Sequence, residues 1–257
     1  MCLILMSYKK SNNILVIAAN RDEYYSRPTS SADFWDDNSN ILAGRDLLQM
    51  GTWLGINRQG NLAALTNYRD PELYDPSARS RGELVSNFLW SDHDKEEYLQ
   101  NLYKDPQKYN PFSILLGDMD SLYYYSNMQK EICKLEPGIY GLSNHLLDTP
   151  WTKVSRGKAA LEKAINESKD SFELEKNLFE ILADKKEAPD EELPETGIGM
   201  ERERNLSPAF ISGSDYGTRS SSVILVDTKG KVSFIERTYT QKDPLIWTEK
   251  RFEIKIL

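Results

Sequence analysis

Two apolar runs, residues 2–8 and 14–19, are separated by Lys9-Lys10-Ser11-Asn12-Asn13, a polar cluster of the kind that reverses the chain between paired strands. This predicts a β-hairpin at the start. The same pattern recurs at 52–57 and 62–67 around Arg58-Gln59-Gly60-Asn61, and at 223–226 and 232–235 around Asp227-Thr228-Lys229-Gly230, with one more extended segment over 247–256. Between these hairpins the period changes. Leu84, Val85, Phe88 and Leu89, then Tyr98, Leu99, Leu102 and Tyr103, recur at helical spacing. Strand signals follow at 112–116, 122–125 and 139–142, and Tyr123-Tyr124-Tyr125 reads as a half-buried strand. Phe34-Trp35 reads as core or loop packing. Thr149-Pro150 predicts the N-cap and first-turn proline of a helix running through Ala159, Leu161, Ala164 and Ile165. Asp170 and Glu173 have capping-box spacing for a second helix over 172–182.

Strands in hairpins at both ends with helices inserted between them predict an α+β sandwich, in which antiparallel sheets carry helices on their outer faces. A single domain over 1–257 is expected. Residues 184–205, rich in Lys, Glu, Pro and Gly, show no core face and predict a mobile surface loop.

Composition removes several function classes. The net charge of −8 argues against a general nucleic-acid or acidic-membrane surface. Two cysteines, Cys2 and Cys133, are too few for a disulfide framework and lack the paired spacing of a zinc site, so no metal is expected. The first apolar run is too short to span a bilayer and lacks the basic start and cleavage site of a secretory signal. A cytoplasmic protein without an integral membrane segment is the expectation. No phosphate-binding glycine loop or HExxH motif is present.

Met1-Cys2 offers a specific chemistry. The small cysteine side chain permits removal of an initiator methionine, which leaves a thiol and a free α-amino group on one residue. A thiol titrates near ~8.5 and an α-amine near ~7.7–8.0, so the amine serves as base for its own nucleophile without a histidine. The chain has only two histidines, His93 and His145, neither in the context of a triad.

At Asn20-Arg21-Asp22-Glu23 the sequence resembles the NRDE family, whose animal members are the transport and Golgi organisation protein 2 homologues. The family pattern continues from Ala19 through Pro28 and recurs in Gly51-Thr52-Trp53-Leu54-Gly55 and Leu65-Thr66-Asn67-Tyr68-Arg69. Further blocks are Arg81-Gly82-Glu83-Leu84, Gly141-Leu142-Ser143-Asn144, Asp148-Thr149-Pro150-Trp151 and Tyr216-Gly217-Thr218-Arg219. No such block falls in 184–205.

The resemblance implies an N-terminal-nucleophile (Ntn) hydrolase-like fold in four layers, α-β-β-α, with Cys2 opening the mature chain. It is similar to the layout of cysteine amidases, and the matching positions are Cys2, Arg21, Asp22, Asn67, Asn144 and Arg219. Those amidases place two residues between the arginine and the aspartate, whereas Arg21 and Asp22 are adjacent. On a strand their side chains would leave opposite faces.

The expected roles follow. Cys2 attacks an amide carbonyl, or a related acyl ester or thioester, of a small-molecule substrate without any cofactor. Asp22 orients the charged amine, and Asn67 and Asn144 stabilise an oxyanion. Arg219 or Arg21 lowers the thiol pKa or binds an acidic group. Asn20, Arg21 and Glu23 form a substrate-binding or structural polar cluster. An alternative is a non-catalytic carrier or trafficking factor for haem or another hydrophobic ligand, with His145 as axial ligand.

Overall fold

The computed structural model describes residues 2–90, 94–240 and 243–256, with only the backbone of Cys2. Met1 and His93 lie outside the described residues. Strand β1 (Cys2–Tyr8) pairs antiparallel with β2 (Asn13–Tyr24), Met6 opposing Ile17. The predicted opening hairpin is therefore present. After it come β3 (Thr29–Trp35), β4 (Asn38–Asp46), β5 (Leu54–Asn57) and β6 (Leu62–Asn67), then helices α1 (Gly82–Trp90) and α2 (Lys95–Lys104). Next are β7 (Phe112–Gly117), β8 (Leu122–Ser126), β9 (Glu131–Lys134) and β10 (Gly138–Leu142). Helices α3 (Thr152–Glu167), α4 (Ser171–Leu182) and α5 (Met200–Asn205) precede β11 (Tyr216–Asp227), β12 (Lys231–Tyr239) and β13 (Trp247–Lys255).

Among the described residues the strands form two antiparallel sheets, ordered β10-β1-β2-β11-β12-β13 and β3-β4-β5-β6-β7-β8-β9. Strand alternation explains how they stack. Ile4, Met6 and Tyr8 of β1 join Leu15 and Ile17 of β2 in a core shared with Leu54, Ala64 and Tyr124 of the second sheet. Leu3, Leu5, Val16 and Ala18 leave on the other face and pack against Val154 and Leu161 of α3 and Leu178 and Phe179 of α4. On the far side, Ala63, Leu65 and Ile114 meet Leu84, Val85 and Phe88 of α1 and Leu99 of α2. Three cores separate four layers, α-β-β-α, and each fully buried Leu, Ile, Val or Phe contributes about 1.5–3 kcal/mol. Among the described residues no helix is long and apolar enough to cross a membrane.

The departures from expectation have local causes. Tyr123, Tyr124 and Tyr125 are all buried rather than half-buried, because β8 lies between the inter-sheet core, which takes Tyr124, and the helix layer, which takes the other two. Helix α3 is N-capped at Trp151 without a side-chain cap; Thr149 bonds His145 and the Leu146 carbonyl instead. Helix α4 keeps its cap, Asp170 accepting from Glu173 N at 2.8 Å. Residues 184–205 hold a short 3-10 turn, Asp190–Glu192, and α5, and they bury Ala188 and Glu203.

Candidate active site

The candidate site forms where β1, β2 and β11 end together. In register, Cys2 opposes Arg21, which opposes Ser220, while Asp22 opposes Thr218. The pairing shifts between Thr218 and Ser220, leaving Arg219 as the extra residue of a bulge.

Adjacent residues of β2 divide between the two faces, as their spacing predicts. Arg21 turns toward the second sheet, where Nη1 donates to Thr29 Oγ1 at 3.1 Å and Nη2 to Asp46 Oδ2 at 3.3 Å. Its guanidinium lies 4.3 Å from the Trp53 ring centre, a contact worth about 2 kcal/mol when desolvated. Asp22 turns toward the helices and accepts from Thr218 Oγ1 at 2.6 Å. Burial pushes its carboxyl up, opposed by the charges of Lys153 and Arg21 and by the Thr218 hydroxyl.

Asp46 organises the floor. It accepts from both Arg27 Nε and Arg21, and from the backbone N–H groups of Leu48 and Gln49. Burial alone would raise its pKa, but Arg27, the Gln49 N–H and Arg21 outweigh burial and hold it below the usual carboxylate value. Glu23 completes the cluster through Arg21 at 3.9 Å and Arg27 at 3.8 Å.

A cleft of about 290 Å³ opens here between the sheets, and Arg21, Asp22, Glu23 and Asn67 all line it, with Trp53 and Arg81. Two larger hollows, of about 440 and about 600 Å³, are lined by none of the predicted catalytic residues among the described side chains.

Asn144, Arg219 and Asn20 surround the cleft rather than line it. Asn144 is fully buried and donates Nδ2 to the Asn67 carbonyl at 2.9 Å, so it stands behind Asn67. Arg219 donates Nη1 to the Tyr24 and Arg27 carbonyls at 2.9 and 3.0 Å, bracing the turn that delivers Arg27. Asn20 faces the helices, donating to the Leu182 and Ala209 carbonyls and accepting from Ser221 Oγ. Two of these bonds tie the first sheet to the chain at the end of α4 and before β11. Asp46, Arg27 and Trp53 are site residues that the sequence reading did not single out. Arg27 and Trp53 carried a signal, since both stand inside family blocks.

His145 does not fit an axial haem ligand as placed. Nε2 bonds Tyr68 Oη at 2.7 Å and Nδ1 bonds Thr149 Oγ1 at 2.9 Å, with Tyr68 and Trp151 beside the ring. Among the described residues no group of three or more His, Cys, Asp or Glu could hold a metal ion.

A family model described as Transport and Golgi organisation 2 matches residues 1–241. The chain belongs to that family. The mouse "Transport and Golgi organization 2 homolog" is 39% identical over 279 residues, covering 100% of this chain and 99% of the mouse protein. The Drosophila melanogaster family member is 32% identical over 254 residues, covering 90% and 88%. Among solved structures, the C2A mutant of conjugated bile acid hydrolase from Clostridium perfringens is similar at a TM-score of 0.53 and 12% identity, covering 100% of this chain and 92% of that one. That likeness is one of fold, and it gives this family member the Ntn-hydrolase-like sandwich.

Proposed function

We propose that the inter-sheet cleft is the site of an N-terminal-cysteine hydrolase or acyltransferase acting on a C–N amide bond, or a related acyl ester or thioester, once Met1 is removed. The observation that carries this reading is the in-register row Cys2, Arg21, Ser220 at the open end of the first sheet, with Arg21, Asp22 and Asn67 lining one cleft beside it. The solved structure of similar fold is named a conjugated bile acid hydrolase and is a C2A mutant, which supports a reaction class centred on a cysteine at position 2.

In this mechanism the Cys2 sulfur bonds to the acyl carbon and the α-amine takes the thiol proton. The amine returns that proton to the leaving nitrogen as the C–N bond breaks, and water or another acceptor then releases the acyl group. Asp22 stabilises the ammonium form. The Asn67 amide donates to the oxyanion, an interaction worth ~2.7–4 kcal/mol in a preorganised site. Asn144 fixes Asn67, and Arg21, clamped by Asp46 and Trp53, supplies positive charge to the cleft.

The charged and amide lining favours this reading over a carrier of haem or another hydrophobic ligand, as does the engagement of both His145 nitrogens. Intact mass of the purified protein, followed by N-acyl amides, esters and thioesters offered to wild type and Cys2→Ala, tests it. Loss of the Met1 mass and turnover abolished in Cys2→Ala are expected. A retained Met1, or turnover that survives Cys2→Ala, overturns the mechanism. A haem Soret shift that disappears in His145→Ala would move the assignment to the carrier.

A further inference from the structure

We infer that Glu203, in the segment between α4 and β11, is a positioning residue for the cleft asparagine Asn67 and acts through Arg69; this rests on the reaction proposed above. Arg69 follows Asn67 by two residues as β6 leaves the sheet. Its Nη1 is paired with Glu203 Oε2, and the two side chains are only 7% and 3% exposed. Glu203 is itself fixed from within its own segment, Oε1 accepting from Thr196 N at 3.0 Å and Thr196 Oγ1 at 2.5 Å. The Arg69 guanidinium lies 4.8 Å from the centre of the Trp151 ring.

The backbone of the same residue closes the link to the site. Arg69 N donates to the Asn144 carbonyl at 2.8 Å, and Asn144 Nδ2 donates back to the Asn67 carbonyl at 2.9 Å. Tyr68, between them, is held through its hydroxyl by His145. Residues 67–69 are thus gripped at three successive positions, and Glu203 is the grip that comes from the 184–205 segment. A buried charge that loses its counter-charge moves toward water or disorders its surroundings. Removing the Glu203 carboxylate therefore displaces Arg69, loosens its N–H from Asn144, and frees the Asn67 side chain from its fixed place in the cleft. A donor misplaced by about 1 Å is enough to slow the step it serves.

The test compares wild type, Glu203→Asp, Glu203→Gln and Glu203→Ala, using a medium-chain acyl para-nitroanilide for turnover and hydrogen exchange of the Arg69 amide for placement. Glu203→Ala is expected to lower kcat on the order of tenfold to a hundredfold with KM little changed, and to speed exchange at Arg69. Glu203→Asp is expected to restore most of both. An unchanged kcat in a folded Glu203→Ala overturns the proposal whatever its exchange rate, and so does failure of all three variants to fold. If wild type turns over no acyl probe, the proposed reaction falls separately. The Arg69 amide then decides whether Glu203 holds the asparagine frame: faster exchange in Glu203→Ala supports it, and unchanged exchange overturns it.

Discussion

Asn144 donates its side-chain amide to the backbone carbonyl of Asn67 across 77 residues of sequence, tying the chain just beyond edge strand β10 of one sheet to the end of central strand β6 of the other. The two asparagines are thus unequal. Asn67 lines the cleft, so Asn67→Ala is expected to reduce kcat by about 10²–10³ with little loss of stability. Asn144→Ala leaves the Asn67 carbonyl without that donor and is expected to cost about 1–3 kcal/mol of stability as well as activity. Urea midpoints measured beside kcat separate the two; equal stability loss in both variants would contradict the division.

Asn20 is expected to serve stability rather than turnover. It joins the first sheet to the helix layer through the Leu182 and Ala209 carbonyls, at 2.8 and 2.7 Å. Asn20→Ala leaves those acceptors unsatisfied and is expected to destabilise the protein by about 1–3 kcal/mol for each. Its kcat, measured well below the lowered melting temperature, is expected to stay near wild type.

How much of this was legible depends on whether the information was local. The opening hairpin, the hairpin around Asp227 and Gly230, and the Asp170 cap all follow from residues within a few positions of one another, and all are present. Strand β3 was not legible, because Thr29-Ser30-Ser31-Ala32-Asp33 is polar and its pairing with β4 is interrupted by register shifts. The opposite faces of Arg21 and Asp22 followed from strand alternation. The partners that give those residues their character come from elsewhere in the chain: Asp46 from β4 and Trp53 from the bend before β5 for one, Thr218 from β11 for the other. Likewise 184–205 has no apolar period, yet it inserts one charged side chain, Glu203, whose burial makes sense only beside Arg69.

His145 sets one pH dependence. Burial disfavours its charged form and lowers its pKa below the ordinary histidine value. The unfolded chain therefore binds this proton more readily than the folded one, so stability rises with pH across the window. The contribution is complete above the unfolded value near ~6.5 and is lost as pH falls through the lower folded value. Urea midpoints of wild type are expected to drop between neutral and mildly acidic pH, and the drop to be smaller in His145→Phe. An equal slope in both would assign the effect to other groups.

Asp46 acts in the same direction at lower pH. Its folded pKa is depressed, so its stabilisation is present above the unfolded carboxylate value near ~3.9 and disappears as pH falls through the folded one. Asp46→Asn is expected to cost roughly 1.5–3 kcal/mol at neutral pH, as hydrogen bonds to charged groups do. The stability gap between wild type and variant should stay constant down to that unfolded value and then close. A gap that persists at the acid end would mean that the amide is disfavoured for its shape rather than its charge.

Gly44 tests whether the Arg21 platform matters to the cleft. A Cβ built at Gly44 would lie 2.5 Å from Cη2 and 2.6 Å from Cζ2 of Trp53, the ring on which Arg21 rests. Gly44→Ala must therefore push the indole away, an overpacking expected to cost about 1–3 kcal/mol. It should also weaken the stacking that keeps the guanidinium in place, so turnover should fall further than stability alone accounts for. Trp53→Phe in the Gly44→Ala background supplies a smaller ring and is expected to recover stability without recovering turnover, because phenylalanine is the weaker cation-π partner. Full recovery of turnover by the double variant would show that only the volume of the ring, and not its contact with Arg21, is needed.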